Sequence, residues 1–303
     1  MIIVKRKYSV LLSNVNRGIE NLKKFYLSVL FGLFLLTVTG KVADAKSFDQ
    51  IEQDNDTIVG VYGVNTANGK VVQHRSGERF AFASTYKAIS SGILLQNTPT
   101  SELNKKIVIS KDDIVAYSPV TEKYIGKQMT LKALIKASML QSDNTANNKV
   151  IEEIGGIKGF QQALIHRGDH ITNPQTLEPD LNLYDPQSTD DTTTPKRAAT
   201  TLNHLLQSEN MSKANLELLK HTMIHNETGD TLIKAAVSKD DVVGDKSGQG
   251  LTYGSRNDLA FIYPKKQNKP IILAIYTKKS DKDAKPDDKV IQTAAETAIK
   301  SLK

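Results

Sequence analysis

Apolar and polar positions follow a strand-like pattern near the start of the chain and a helical pattern in its middle. Segments 58–66 and 70–75 flank Ala67-Asn68-Gly69, where Asn-Gly predicts a tight hairpin with positive φ angles. From 84 to 226, apolar residues recur every three or four positions, as on one face of a helix. The pattern therefore predicts two strands followed by a helical block.

Strand-like segments return in the last part of the chain, and a helix follows them. The apolar segments are 241–246, 258–263 and 271–277, and the helix carries on one face Val290, Ala294, Ala298 and Leu302. Sheet from both ends of the chain around a helical block predicts a two-lobed α/β protein with a cleft between the lobes. We expect an antiparallel sheet flanked by helices from 46–80 and 227–303, and an inserted all-α domain from 81–226.

Glycine and proline mark helix boundaries and one long loop. Gly155-Gly156 and Gly168 predict helix ends, and Thr194-Pro195 predicts a capped helix start. Residues 169–194 hold three prolines and many Asp and Thr residues without any period. Long irregular loops in compact domains are usually functional, so this loop is a candidate part of the site.

The segment 1–45 has the composition of a secretory signal. Basic residues at 5–7 and Lys23-Lys24 precede the apolar run 25–38, and Ala43-Asp44-Ala45 predicts cleavage after Ala45. The alternative is an uncleaved membrane anchor, although the apolar run is short for a bilayer span. We expect a secreted protein without a stable membrane partner after cleavage.

Charge and composition argue against a nucleic-acid partner. The net charge of the 303 residues is +7, but positions 46–303 hold 33 basic and 31 acidic residues, so most of the excess lies in the predicted signal. The chain has no Trp and no alternation of aromatic and basic residues. It also has no Cys, which excludes disulfides, thiolate metal sites and a cysteine nucleophile.

Three short motifs hold residues suited to covalent catalysis. Ser84-Thr85-Tyr86-Lys87, at a predicted helix start, places a hydroxyl and an amine one turn apart. Desolvation or a second cation lowers the pKa of a lysine, which can then accept a serine proton. Ser142-Asp143-Asn144 lies between helical segments and Lys246-Ser247-Gly248 ends a predicted strand. Taken singly, the first two motifs fit an ordinary helix cap better than a catalytic site, and the third also fits a turn at a strand end.

The order of these motifs, with Glu178-Pro179-Asp180-Leu181-Asn182 in the loop, resembles the class A serine β-lactamases from about residue 50 to the C-terminus. The resemblance implies a β-lactamase/transpeptidase-like fold and hydrolysis of penicillin-type antibiotics, which gives antibiotic resistance. It implies a small-molecule β-lactam as partner and no cofactor, and we expect a monomer. Glu178 and Asn182, four residues apart, would hold a water between them if the loop is locally helical.

The resemblance also implies a role for each residue. Ser84 would form the acyl-enzyme, and its backbone N–H and that of Gln249 would form the oxyanion hole. The acylation base would be Lys87, or Glu178 through water, and Glu178 would drive deacylation.

Further implied roles concern proton transfer and substrate contacts. Ser142 would pass a proton to the leaving nitrogen, with Lys246 holding its hydroxyl. The substrate contacts would be Asn144, Ser247, Arg256 and Tyr117, where a guanidinium offers paired donors to a carboxylate.

One position departs from the family pattern. The family has an arginine two residues before the loop glutamate, paired with an aspartate thirteen residues after that glutamate. Here these positions are Thr176 and Asp191. We expect Asp191 to lack its partner and the loop to be more mobile, with altered hydrolysis of bulky substrates.

Two other functions share the serine motif, and two histidine pairs suggest a metal. A DD-peptidase or penicillin-binding protein, or a penicillin sensor acylated once, would not need Glu178. His166/His170 and His221/His225 have i, i+4 spacing, but Gly168 interrupts the first pair and neither has the carboxylate of a zinc motif. We expect exposed helix histidines and no metal site.

Overall fold

A computed structural model of the chain describes residues 46–303, so the predicted signal 1–45 and its cleavage site lie outside the described residues. Among residues 46–303, no helix combines the length and apolar character needed to cross a bilayer. The strands are β1 (Ile58–Asn65), β2 (Val71–His74), β3 (Phe80–Ala81), β4 (Lys106–Val108), β5 (Gln128–Thr130), β6 (Thr192–Thr193), β7 (Val242–Gln249), β8 (Arg256–Tyr263) and β9 (Ile271–Lys278). The helices are α1 (Phe48–Asn55), α2 (Tyr86–Asn97), α3 (Leu131–Leu140), α4 (Asn144–Ile154), α5 (Gly156–His166), α6 (Pro195–Leu206), α7 (Lys213–Ile224), α8 (Ile233–Ala236) and α9 (Asp288–Leu302).

Five strands form one antiparallel sheet in the order β2-β1-β9-β8-β7, which confirms the predicted sheet built from both ends of the chain. The central strand β9 is buried on both faces, which explains its continuous apolar sequence. Ile271, Leu273 and Ile275 pack in the core under α9, whereas Ile272 and Tyr276 belong to the core shared with the helical block. The sheet therefore has helices on both faces.

The turn between β1 and β2 differs from the predicted tight hairpin. The strands are joined by residues 66–70, and of Asn68 and Gly69 only Gly69 has a positive φ, of 76°. The side chain of Asn65 accepts a hydrogen bond from the Ala67 N–H, and that of Asn68 accepts one from Lys70. These side-chain bonds stabilise a longer loop.

The segment 81–226, predicted to be all-helical, contains six helices and also short strands. β4 pairs with β5, and β6 pairs with β3. The latter pair matters for the site, because it joins the end of loop 169–194 to the residues just before Ser84. The boundaries of the two predicted domains stay a prediction.

The helix end predicted at Gly155 and the helix start predicted at Thr194-Pro195 are both confirmed. Gly155 ends α4 with φ of 101°, in the left-handed region that favours glycine. Thr194 caps α6, since its hydroxyl accepts the Arg197 N–H, and Pro195 follows as the first helical residue.

Candidate active site

Ser84 lies in a 3-10 turn, Ala83–Thr85, that leads directly into α2. The Thr85 hydroxyl donates to the Phe82 carbonyl at 2.6 Å and holds this turn. Strand β7 packs against it at Gly248, where an added Cβ would lie 3.0 Å from the Thr85 side chain. The predicted strand end at Lys246 is therefore incorrect: β7 continues to Gln249, and glycine lets its backbone approach the serine turn.

Lys87 is fully buried behind Ser84 and has three polar neighbours. Its Nζ donates to the Ser142 carbonyl at 2.8 Å and to Asn144 Oδ1 at 2.6 Å, and lies 2.9 Å from Glu178 Oε1. Burial lowers the pKa of Lys87, while the Glu178 carboxylate opposes that shift. The sequence motif suggested a direct pairing with Ser84, but no Ser84–Lys87 hydrogen bond occurs among the described residues.

Glu178 contacts both Ser84 and Asn182. The Ser84 hydroxyl donates to Glu178 Oε1 at 3.4 Å, and Asn182 Nδ2 donates to Oε2 at 2.6 Å. Residues Asp180–Asn182 form a 3-10 turn, which brings the side chain of Asn182 back to Glu178 four residues earlier. The predicted pairing of these two residues needed such a local helical turn. Asn148 of α4 holds the glutamate backbone, since it accepts from the Glu178 N–H and donates to its carbonyl, both at 3.0 Å. The sequence carried no signal for Asn148.

Ser142 lies between two lysine side chains. Lys246 Nζ donates to the Ser142 hydroxyl at 3.1 Å, and Lys87 Nζ lies 3.4 Å from the same oxygen. Burial and the nearby Lys87 lower the pKa of Lys246 to about 7. Ser142 itself has φ of 58°, a strained conformation for serine that turns the chain between α3 and α4.

These groups border one cleft of about 330 Å³. Lys87, Lys246 and Glu178 are buried behind its wall. Eight residues from the sequence prediction line it: Ser84, Tyr117, Ser142, Asn144, Asn182, Ser247, Gln249 and Arg256. The geometry thus brings together a hydroxyl nucleophile, two amines and a carboxylate around a space that holds a small molecule.

Asn144 and Tyr117 both line the cleft, but their side chains differ in how firmly they are held. Asn144 uses both ends of its amide, because Oδ1 accepts from Lys87 and Nδ2 donates to the Ala116 carbonyl at 2.8 Å. Tyr117 is 61% exposed at the edge of the cleft, and its carbonyl accepts from the Asn144 N–H.

One end of the cleft carries cationic and hydroxyl groups. Arg256, the first residue of β8, is 8% exposed, and its Nε donates to Asp288 Oδ1 at 2.6 Å. Thr228 Oγ1 lies 2.6 Å from Ser247 Oγ. The sequence did not indicate Thr228 or Asp288, because neither belongs to a motif. An aspartate at position 288 indicates only the start of a helix.

The prediction that Asp191 lacks a partner is wrong. Asp191 and Thr176 meet at the neck of loop 169–194, where the two sides of the loop come together. Its Oδ1 accepts from the N–H groups of Gln175 and Thr176, at 2.9 and 3.1 Å, and its Oδ2 accepts from the Thr176 hydroxyl at 2.8 Å. Asp191 therefore has partners, because a short hydroxyl and two backbone donors reach the carboxylate without an arginine. The greater mobility of loop 169–194 was predicted because Asp191 was expected to lack a partner, and that reason no longer holds.

All four histidines are exposed, as predicted, but His170 and His225 lie just beyond the helices that carry His166 and His221. The rings of His221 and His225 lie with their centroids 4.1 Å apart and their planes tilted by 35°. Among the described residues, possible metal ligands instead converge at Asp49, Glu52 and His74. Glu52 is already bound by Arg75 and by the Val59 N–H, so an ion pair occupies this cluster.

Comparison with known proteins agrees with this arrangement. A family model described as the beta-lactamase enzyme family matches residues 44–302. The chain is 40% identical to the β-lactamase of Bacillus licheniformis, over 84% of this chain and 82% of that protein, and 41% identical to β-lactamase 1 of Bacillus cereus, over 85% and 83%. The crystal structure of a class A β-lactamase from Clostridium kluyveri superposes with a TM-score of 0.82 and 38% identity, covering 84% of this chain and 97% of that chain. The chain therefore belongs to the β-lactamase enzyme family, within its class A serine enzymes, and hydrolyses β-lactams.

Proposed function

We propose that Ser84 is the nucleophile and that Glu178, Lys87, Ser142 and Lys246 transfer the protons of the reaction. The observation that supports this most directly is the contact of the Ser84 hydroxyl with Glu178 Oε1, itself 2.9 Å from Lys87 Nζ. A carboxylate so placed can accept the serine proton directly, through water, or by way of the amine.

Acylation joins Ser84 Oγ to the lactam carbonyl carbon and then breaks the carbonyl–nitrogen bond. The Ser142 hydroxyl supplies the proton that the leaving nitrogen takes up, and a neighbouring lysine re-protonates Ser142. Lys246 holds the Ser142 hydroxyl through its 3.1 Å bond. The product of this half-reaction is an ester on Ser84.

Deacylation uses a water bound near Glu178. Asn182 holds Glu178 Oε2, which leaves Oε1 facing the serine ester. Glu178 is ionised again once the serine proton has passed to the lysine that re-protonated Ser142. It then accepts a proton from the water as the water attacks the ester carbonyl, and it passes that proton to Ser84 Oγ when the ester bond breaks. Hydrolysis of penicillin-type antibiotics in this way gives resistance.

Binding contacts complete the proposal. The backbone N–H groups of Ser84 and Gln249, both at the cleft wall, form the oxyanion hole, worth about 3 kcal/mol per donor. Ser247 and Arg256 bind the substrate carboxylate, and Asn144 and Tyr117 contact its amide side chain.

Two substitutions test the assignment. We expect Ser84→Ala to remove acylation, because no oxygen remains to form the ester. We expect Glu178→Ala to acylate and then accumulate a covalent adduct, because the water lacks its base. Mass spectrometry of the intact protein after mixing with benzylpenicillin measures both.

Two results would contradict the proposed mechanism. Free turnover by the Glu178 variant would refute its role in deacylation. Turnover of a chromogenic cephalosporin by the unmodified protein that stops after one equivalent would favour the penicillin-binding or sensor alternatives.

We also propose that the protein is exported with cleavage after Ala45, that it has no stable membrane partner afterwards, and that it acts as a monomer. The composition of segment 1–45 supports export. The N-terminal residue and the native mass of the protein recovered from culture medium test these points.

A further inference from the structure

His221 and His225 lie on one face at the end of α7. The His225 N–H donates to the His221 carbonyl at 3.0 Å, so the helical hydrogen-bond pattern reaches His225 although α7 itself ends at Ile224. Residues four apart in such a turn are neighbours on the helix surface. Both side chains are exposed, so solvent reaches them.

The two imidazole rings are close enough to share one ion. Their centroids lie 4.1 Å apart and their planes are tilted by 35°. Two nitrogen ligands of a tetrahedral Zn²⁺ lie about 3.3 Å apart, since each Zn–N bond is about 2.0–2.1 Å long. Ring nitrogens lie at the edge of the ring, so a small rotation of exposed side chains brings one nitrogen of each ring to that separation.

A backbone contact holds His225 in the form that binds a metal. Its Nδ1 lies 2.8 Å from the His221 carbonyl oxygen. A carbonyl only accepts, so Nδ1 carries the hydrogen, and in the neutral ring Nε2 keeps its lone pair. Metal-binding histidines commonly donate their other ring N–H to a backbone carbonyl, because that bond fixes the ring.

The second histidine pair has the same sequence spacing but a different geometry. His166 is the last residue of α5, and His170 follows after Gly168, which has φ of 77°. That left-handed residue turns the chain out of the helix, so His166 and His170 do not share a helix face. Spacing alone therefore does not create the arrangement found at His221 and His225.

The donor atoms and the local charge indicate which ions fit. The positive charge of Lys136, on α3, acts on His221. A positive neighbour disfavours ions that are held mainly by charge, such as Mg²⁺ and Ca²⁺, and these ions also prefer oxygen ligands. Imidazole nitrogens suit Zn²⁺, Ni²⁺ and Cu²⁺, and among these Cu²⁺ binds most tightly.

We propose that His221 and His225 form a surface site for one divalent transition-metal ion, with Cu²⁺ as its tightest ligand. Water fills the remaining coordination positions, so the site does not need the carboxylate of a zinc-protease motif, whose absence led to the expectation of no metal. Neither histidine borders the catalytic cleft. The ion joins the last turn of α7 to the residue that follows it and stabilises that helix end.

Titration of the purified enzyme with CuCl₂, in a buffer that does not bind metal ions, tests the site. We expect one equivalent of Cu²⁺ to bind and its electron paramagnetic resonance spectrum to show two nitrogen ligands. Each of His221→Ala and His225→Ala removes one of the two protein ligands, so each should weaken binding by about tenfold or more.

The matched control is His166→Ala/His170→Ala, which removes two exposed histidines of the same spacing and should leave Cu²⁺ binding unchanged. All of these variants should hydrolyse benzylpenicillin at the rate of the unmodified enzyme, because none of the four histidines borders the cleft. That rate also shows that each variant is folded. Cu²⁺ binding that survives in His221→Ala/His225→Ala, or that falls equally in the control, would overturn the proposal.

NMR with ZnCl₂ locates the ion directly, since Zn²⁺ has no unpaired electrons. We expect the imidazole signals of His221 and His225 to shift together and the His225 amide to exchange more slowly with solvent, because the ion holds its turn closed. Shifts at His74 without shifts at His221 and His225 would place the ion at the Asp49, Glu52 and His74 cluster and would refute the proposed site.

Discussion

At the scale of single residues, Asp143 shows how a motif can be structural and functional together. Its side chain caps α4 by accepting from the Ala146 N–H at 2.8 Å, and its other oxygen accepts from the N–H groups of Val120 and Thr121, both at 2.9 Å. The aspartate is fully buried between Ser142 and Asn144. The motif was expected on a turn between helices, and its central residue is the one that stabilises that turn.

We predict that Asp143→Ala lowers the free energy of unfolding by about 3 kcal/mol, because it leaves several buried donors without an acceptor. Urea unfolding of the purified protein measures this change. Asp143→Asn keeps one acceptor oxygen and should lie between the alanine variant and the unmodified enzyme. A loss below about 1 kcal/mol in the alanine variant would show that the carboxylate is dispensable.

At the scale of elements, loop 169–194 is held at both ends and along its course. Thr176 and Asp191 close its neck, and β6 pairs with β3. Further along, the Asn182 carbonyl accepts from the Leu251 N–H at 2.8 Å, which joins the loop to the turn after β7. The loop therefore presents Glu178 from an anchored backbone.

We predict that Thr176→Val weakens the neck by about 1 kcal/mol, because valine matches threonine in shape but cannot donate to Asp191. Hydrogen exchange across 173–191 should become faster, and the acyl-enzyme should be lost more slowly. Thr176→Ser keeps the hydroxyl and serves as the matched control. Equal exchange in the valine and serine variants would mean that the two backbone N–H groups suffice to hold Asp191.

At the scale of the whole molecule, a single carboxylate joins the first described helix to the sheet. Glu52 of α1 accepts from the Val59 N–H of β1 at 2.9 Å and from Arg75 Nε at 2.7 Å. Burial alone would raise the pKa of Glu52, but hydrogen bonds from Arg75, the Val59 N–H and His74 outweigh it and lower that pKa below 4.5.

The sign of the pH dependence follows from the lowered pKa. The stabilisation by Glu52 is present above the unfolded value of 4.5 and is lost as the pH falls through the lower folded value. We predict that Glu52→Gln is less stable than the unmodified protein at neutral pH and that the difference shrinks in acid. Unfolding curves at a series of pH values measure it, and a difference that stays constant would contradict the prediction.

Local chemistry made the elements of this chain predictable. Apolar periodicity indicated the main strands and the helical block, because it depends only on which residues face a core. The order of the motifs indicated the nucleophile, the lysines and Glu178, since the reaction needs these residue types. The turn after β1 was predicted less well, because the side chains of Asn65 and Asn68 compete with backbone turn geometry.

Only the tertiary structure determined the partners. Asp191 accepts from Thr176, which stands where the family has an arginine, and Asn148 holds the Glu178 backbone. Each of these contacts joins residues separated along the chain, and hydrogen bonding depends on distances of a few ångströms. The sequence therefore determined which groups this enzyme carries, and the packing of sheet and helices decided which of them meet, because spacing along a chain does not specify distance in space.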